Sequence, residues 1–174
     1  MIRKGITTFV DFRAGGPDGV ALLRQALKDL PIRAFILGRV ETYQDKTQLQ
    51  QNQRLSDESK RTLANVLRIS DGIGLSGANE NSDSSLKFFS KSKKIRAIHS
   101  SETKQSMTYS KKITKKTETE RALLVKPHFL VHMTYAGISD LKNASKKSRG
   151  IVVCPRANAS LAEGIPNFEL MSKI

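Results

Sequence analysis

The chain has 174 residues, with 30 lysines and arginines against 16 aspartates and glutamates, so its formal net charge is +14. A single cysteine excludes an internal disulfide, and no apolar run approaches the roughly 18–20 residues of a membrane span. The start, MIRKGITTFVDF, has too short an apolar part for a signal peptide. The sequence therefore predicts a cytoplasmic protein without a membrane span, with residues 1–174 in a single domain.

The basic residues are concentrated in three short clusters: KSKK at 91–94, KKITKK at 111–116 and KKSR at 146–149. Such clusters can bind nucleic acid by neutralising phosphates. No aromatic residues are interleaved with these lysines, and tryptophan is absent, so a base-stacking surface is not indicated. We expect a solvated lysine-rich surface rather than a nucleic-acid partner.

Apolar, β-branched-rich runs alternate along the chain with segments that carry helical signals. The predicted strands are 6–12, 32–40, 72–77, 95–99, 129–133 and 150–155. The predicted helices are 17–31 and 56–69, with weaker signals at 83–90 and 138–147. The polar segment 102–120 is predicted to be a long surface loop. This alternation is typical of repeated βα units with a parallel sheet covered on both faces.

Two architectures fit this alternation, an open doubly wound sheet and a β/α barrel. An open nucleotide-binding sheet usually has a glycine-rich loop after its first strand. The glycines at 15, 16 and 19 do not have the G-x-G-x-x-G spacing, and no G-x-x-x-x-G-K-[ST] motif occurs. The function therefore has to be sought among other residues at strand ends.

Two of the three histidines occupy matching places, because His99 closes the run IRAIH and His132 closes FLVH. In a β/α barrel the functional side chains come from the carboxyl ends of strands. Strand alternation predicts that His99 shares a face with Ile95 and Ala97, and that His132 shares a face with Leu130 and Thr134. If the two strands are neighbours, both imidazoles could act on one ion or one water molecule.

Glu102 follows His99 by three residues, so a carboxylate could reach the same space. An imidazole ligand, a second imidazole and a carboxylate are the groups that metal-assisted hydrolysis uses, with the carboxylate passing a proton to the leaving group. The alternative is that the strand-end histidines are hydrogen-bonded structural residues. His128 precedes the strand of His132 and is predicted to be structural or exposed.

Three blocks of the sequence resemble consecutive blocks of the metal-dependent amidohydrolase superfamily: IRAIHSSET, KPHFLVHMTYAGISDL and GIVVCPRANASLAEGIPNFELM. The branch is the one that contains cytosine, guanine and S-adenosylhomocysteine deaminases and the chlorohydrolases. The most specific block is CPRANASLAEGIP. The resemblance implies a (β/α)8 barrel, a divalent metal such as Zn²⁺, and hydrolytic deamination or dechlorination of a small heterocyclic substrate.

By the same resemblance, His99 matches the metal ligand at the end of the fifth barrel strand. Glu102 matches the proton-transferring carboxylate of the H-x-x-E motif, and His132 matches the histidine of the sixth strand that binds or orients water and substrate. Arg156 and Asn158 fall in the seventh-strand block, where no role is assigned to them.

The sequence also departs from the family pattern. The family's first strand ends in H-x-H, which supplies two metal ligands, and its eighth strand ends in an aspartate that completes the site. This chain contains no H-x-H and ends at FELMSKI, before an eighth strand. We therefore expect a partial barrel of about six βα units without the first and last strands. A catalytic zinc site needs three protein ligands, so we also expect this chain to be inactive alone and to retain little metal.

Three functions remain open from the sequence. The first is an amidohydrolase-like chain that is active only when other segments supply the missing ligands. The second is a non-catalytic binding or interaction module, because an incomplete barrel has two open sheet edges that could pair with a second copy or a partner chain. The third and least favoured is a basic nucleic-acid-binding protein.

Overall fold

The computed structural model describes residues 1–174. Its strands are β1 (Thr8–Arg13), β2 (Arg33–Gly38), β3 (Gly72–Leu75), β4 (Ile95–Ser100), β5 (Phe129–His132) and β6 (Gly150–Val152). Its helices are α1 (Gly16–Leu27), α2 (Lys46–Gln50), α3 (Asp57–Ile69), α4 (Asp83–Phe89), α5 (Lys104–Thr114), α6 (Glu118–Ala122), α7 (Ile138–Lys147), α8 (Pro155–Ser160) and α9 (Phe168–Ser172). Short 3-10 turns occupy Ile2–Lys4, Ala78–Glu80 and Leu123–Val125. None of the helices has the length and apolar character needed to span a bilayer.

The six strands form one sheet in the order β1-β2-β3-β4-β5-β6, and every neighbouring pair is parallel. Sequential parallel order with intervening helices is the arrangement of a β/α barrel rather than of a doubly wound sheet, whose strand order reverses. The sheet is curled into a half-barrel. The prediction of a partial barrel with six parallel βα units is confirmed.

The hydrophobic core lies between the convex face of the sheet and the helices. Ile73, Ile98 and Leu130 point from the central strands into this layer, where they pack in one cluster with Val66 of α3 and Phe89 of α4. Helices α3 and α4 are capped by Ser56 and Ser82, whose side chains accept hydrogen bonds from backbone N–H groups in the first turn. This layer fixes the strands that carry the candidate site at their carboxyl ends.

The concave face of the sheet is also apolar but lies open. It forms a groove of about 550 Å³ lined by 11 residues, ten of them hydrophobic. Val10 of β1 is 57% exposed there and Val152 of β6 is 47% exposed. In a closed barrel the corresponding side chains fill the interior in packed layers.

The prediction of a long loop over 102–120 is wrong, because this segment forms α5 and α6. Thr103 caps α5 by accepting a hydrogen bond from Ser106 N, and Thr117 forms a capping box with Glu120 at the start of α6. Ile113 is the one apolar residue of α5 that is buried in the interior. The predicted helix 17–31 matches α1 closely at its start, Gly16, but α1 ends earlier than predicted, at Leu27.

Candidate functional site

His99 stands at the carboxyl end of β4 on the concave face, as its alternation with Ile95 and Ala97 predicted. Its Nδ1 lies 3.0 Å from the carbonyl oxygen of Leu75 in the neighbouring strand. Since a carbonyl can only accept, Nδ1 carries the proton and Nε2 keeps a free lone pair. A carbonyl that fixes the tautomer of a ligand histidine in this way is a common arrangement in metal sites.

The environment of His99 favours the neutral ring. Burial lowers the pKa of His99, chiefly through loss of hydration of the imidazolium; the Leu75 carbonyl and the Glu102 carboxylate oppose this effect, while His132 and Arg39 add to it. The ring of Phe12 packs edge-on against the imidazole at a centroid distance of 4.6 Å. Phe12 has this place because Gly74 lacks a side chain, and a Cβ there would lie only 2.4 Å from the phenyl ring.

The side chain of His132 lies beside that of His99, but its backbone conformation differs from the predicted extended one. In the sheet it pairs with Ser100 and not with His99, whose partner is Val131. Alternation predicted that His132 would share a face with Leu130, which is buried on the helix side. That prediction is wrong, because His132 has φ 71° and leaves the extended conformation. Its ring lies 5.2 Å from the ring of His99.

Two partners hold the buried ring of His132. Its Nδ1 lies 3.0 Å from Asn158 Oδ1, and its Nε2 lies 3.2 Å from Glu102 Oε1. With the Asn158 oxygen facing the ring, Nδ1 carries a proton and Nε2 faces the Glu102 carboxylate. With the amide turned over, Nδ1 accepts and Nε2 carries the proton. In both orientations the Glu102 carboxylate lies within ion-pair distance of Nε2.

Asn158 is the site residue to which the sequence assigned no role. It lies in α8, is fully buried, and donates from Nδ2 to Thr134 Oγ1 at 2.8 Å while its oxygen faces His132. The Cys-Pro-Arg-x-Asn block was the only signal for Asn158 in the sequence, and the tertiary structure was needed to show that it contacts His132 and Thr134. Arg156, from the same block, is exposed.

The donors present fit part of a metal site. The ring of His99 is neutral and its Nε2 lone pair is free to bind a metal. The chain nevertheless has no group of three or more His, Cys, Asp or Glu side chains placed to hold a metal ion. His132 has both ring nitrogens engaged with Asn158 and Glu102. A full zinc site with three protein ligands is therefore not formed by these residues alone.

His128 lies at the opposite end of β5, as predicted, and has a structural role. The ring atom Nδ1 of His128 accepts a hydrogen bond from the backbone N–H of Arg96 at 3.1 Å. The backbone N–H of His128 donates to the Arg96 carbonyl at 2.7 Å. These two bonds extend the pairing of β4 and β5 by one residue at the amino-terminal edge of the sheet.

Comparison with known sequences gives the family. The amidohydrolase family model matches residues 1–173. The chain is 39% identical over 178 residues to a Methanothermobacter thermautotrophicus protein named "Putative aminohydrolase", a match that covers 100% of this chain and 45% of that protein. It is 37% identical over 181 residues to an uncharacterized Methanocaldococcus jannaschii protein, covering 97% and 43%. The chain belongs to the amidohydrolase family, and it spans somewhat less than half the length of these relatives.

Solved structures agree on the fold. Guanine deaminase from C. acetobutylicum with bound guanine superposes with a TM-score of 0.73 at 15% identity, over 99% of this chain and 45% of that one. Atrazine chlorohydrolase from Arthrobacter aurescens, complexed with zinc, gives a TM-score of 0.74 at 14% identity, over 97% and 43%. At this identity the likeness establishes the fold. The resemblance deduced from the sequence blocks is confirmed.

Proposed function

We propose that this chain contributes the proton-transferring residues of a hydrolase that removes an amino group or chloride from a small heterocycle. In this proposal Glu102 and His132 are catalytic, and His99 is the one metal ligand that these residues contribute. The observation that carries the proposal is the 3.2 Å contact between Glu102 Oε1 and His132 Nε2 beside the His99 ring. Family membership supports the reaction class, and the fold neighbours with guanine and atrazine in their descriptions support the substrate class.

The proposed chemistry follows from the position of the Glu102 carboxylate beside His132. Hydrolytic deamination forms a bond from water oxygen to the ring carbon, breaks the bond from that carbon to nitrogen, and moves a proton from water to the leaving amine. The Glu102 side chain is 32% exposed, so its carboxylate can accept the water proton and deliver it to the departing nitrogen. His132 orients the water and the substrate, with Asn158 holding the other edge of its ring.

We further propose that the chain is inactive alone and that residues 1–174 act as one incomplete barrel domain. A divalent metal, with zinc as the first choice because the chlorohydrolase neighbour contains it, would need ligands beyond His99. General acid–base catalysis contributes only about 10² to 10⁴-fold, so Glu102 does not replace the metal. Segments that contain H-x-H and a strand-end aspartate would supply the missing ligands.

Reconstitution tests this proposal. The 174-residue chain is assayed for ammonia release from guanine and chloride release from atrazine, alone and with the complementing segments as a fusion or as separate chains. We expect turnover only in the completed protein, abolished by Glu102→Gln and by His99→Ala but retained in Glu120→Gln, an exposed glutamate of α6. Chelator-sensitive, zinc-restored turnover by the bare chain would show that the account of the missing ligands is wrong.

The second candidate is a non-catalytic module that binds a partner chain or a second copy through its open edges. The open apolar groove and the unpaired edges of β1 and β6 favour this candidate. It predicts stable association without any turnover in the completed protein. Activity that depends on Glu102 in the reconstitution assay would exclude it as the sole function.

A further inference from the structure

The turn that carries Glu102 has an unusual backbone and is buried. Ser101, the residue directly before Glu102, has φ 53° and is fully buried. A left-handed conformation is unfavourable for a residue other than glycine and persists only when its surroundings hold it. Its carbonyl accepts from Tyr135 N at 2.8 Å, and its N–H donates to Glu118 Oε2 at 2.8 Å.

Glu118 is a buried carboxylate that the proposed mechanism does not use. It is 4% exposed and begins α6, behind the turn. Its oxygens accept three hydrogen bonds, from Ser101 N, from Ser106 Oγ at 2.7 Å and from Asn79 Nδ2 at 3.2 Å. The donors lie after β4, in α5 and after β3, so one carboxylate joins three segments around the strand ends.

A buried carboxylate is costly unless its hydrogen bonds are made. Desolvation raises the pKa of Glu118, while the bonds from Ser106 and Ser101 and the charge of Arg121 act in the opposite direction and Glu102 adds to the increase. Every partner of Glu118 is a donor, which an apolar side chain could not satisfy. The arrangement therefore fits a residue whose task is to fix the position of the turn.

We propose that Glu118 is a positioning residue, which holds the left-handed Ser101 turn so that the Glu102 carboxylate stays against His132. The catalytic effect of Glu118 rests on the proposed function. Its role in holding the Ser101 turn in place does not depend on that function. A displacement of about 1 Å at a reacting group can reduce a rate about 100-fold, so the rigidity of this turn has a direct effect on proton transfer.

Glu118→Gln is the sharpest variant because it keeps the shape and removes one acceptor. The glutamine oxygen can serve Ser101 N, but its amide then faces Asn79 Nδ2, which is a donor. Asn79 cannot turn over freely, since its oxygen accepts from Arg121 Nη1 at 3.3 Å. The matched control is Glu120→Gln in the same helix, where the side chain accepts only from Thr117 N, a bond that glutamine can also accept.

The experiment on the 174-residue chain measures hydrogen exchange of the Ser101 amide and the ¹⁵N resonances of the His132 ring. In Glu118→Gln we expect Ser101 exchange about tenfold faster or more, a shifted His132 Nε2 resonance, and unchanged exchange at Ile98 within β4. Glu120→Gln should match the parent chain. If Glu118→Gln does not fold, Glu118→Asp retains the charge, draws the oxygens back from Ser101, and should show the same changes.

In the reconstituted protein, Glu118→Gln should lower kcat about tenfold or more and leave KM within about twofold. Unchanged Ser101 exchange and an unchanged His132 resonance in a folded Glu118 variant would overturn the proposal. A parent protein without turnover would refute the proposed function, while the exchange and resonance data would still decide the positioning role.

Discussion

The imidazoles of His132 and His99 face each other at 5.2 Å although the two residues are one position out of register in the sheet. The positive φ of His132, 71°, followed by 56° at Met133, turns the side chain to the concave face. Met133 N donates to Ser100 O at 2.9 Å and holds this turn in place. Left-handed residues of this kind cluster at functional sites, where the surrounding structure offsets their cost.

Asn158→Leu should lower the free energy of unfolding by about 1–3 kcal/mol, because the buried His132 Nδ1 and Thr134 hydroxyl both lose a partner. Urea denaturation followed by circular dichroism measures the change. The same substitution at Asn65, exposed on α3, should stay within about 0.5 kcal/mol. Equal effects at the two positions would show that the Asn158 bonds do not stabilise the site.

Asp83 forms one buried and one exposed ion pair, and we expect the two to differ in strength. Arg121, which is fully buried, contacts Asp83 at 2.9 Å and also donates to Asn81 O. Arg121→Met should destabilise the fold by about 3–5 kcal/mol because it leaves Asp83 without its buried partner. Lys116→Met removes the exposed partner and should cost at most about 1 kcal/mol. Thermal or urea unfolding compares the pair, and a larger loss with Lys116→Met would contradict the argument.

Lys115 directly follows α5 and has a left-handed backbone conformation, with φ 63°. Lys115→Gly should therefore raise the free energy of unfolding by about 0.5–1 kcal/mol, since glycine adopts this conformation without strain. Lys112→Gly, an exposed position within the same helix, should instead lower it by about 1 kcal/mol. Chemical denaturation of both variants measures the difference, which would vanish if the backbone at Lys115 were not left-handed.

His128 should make stability depend on pH below about 6.5. Burial lowers the pKa of His128, and the charges of Arg96 and Arg149 lower it further. The unfolded chain therefore binds the proton more readily, so stability falls as the pH drops below the unfolded value near 6.5. Urea midpoints at about pH 7.5 and about pH 5.5 should differ less in His128→Asn than in the parent chain. An NMR titration midpoint of His128 above 6.5 would reverse the sign and refute this prediction.

The open groove should cause the chain to self-associate. Replacing Val10 and Val152 by lysine places charge on its two sides and should shift the chain towards monomer in light scattering. Leu22→Lys is the control, because Leu22 is 67% exposed on α1, away from the groove. A parent chain that is already monomeric, or an equal shift with Leu22→Lys, would contradict a role for the groove.

The order of the six βα units could be deduced from the sequence because apolar periodicity and helix caps are local signals. The face of the sheet on which His99 lies could also be predicted from the sequence, since it follows from alternation with Ile95 and Ala97 within one strand. The helix α5 was missed although Thr103 is a suitable N-cap residue, because α5 has a single buried apolar residue, Ile113, and its amphipathic pattern is therefore weak.

The positions of the side chains around Glu102 could be found only from the tertiary structure. The orientation of His132 depends on a left-handed backbone that β4 hydrogen bonds sustain, and sequence alternation predicts the opposite face. Asn158 and Glu118 lie 26 and 17 residues from the groups they hold, His132 and Ser101. Their roles arise because packing brings distant segments together in the interior, where a polar group must find a partner, and no local pattern in the sequence specifies which partner that is.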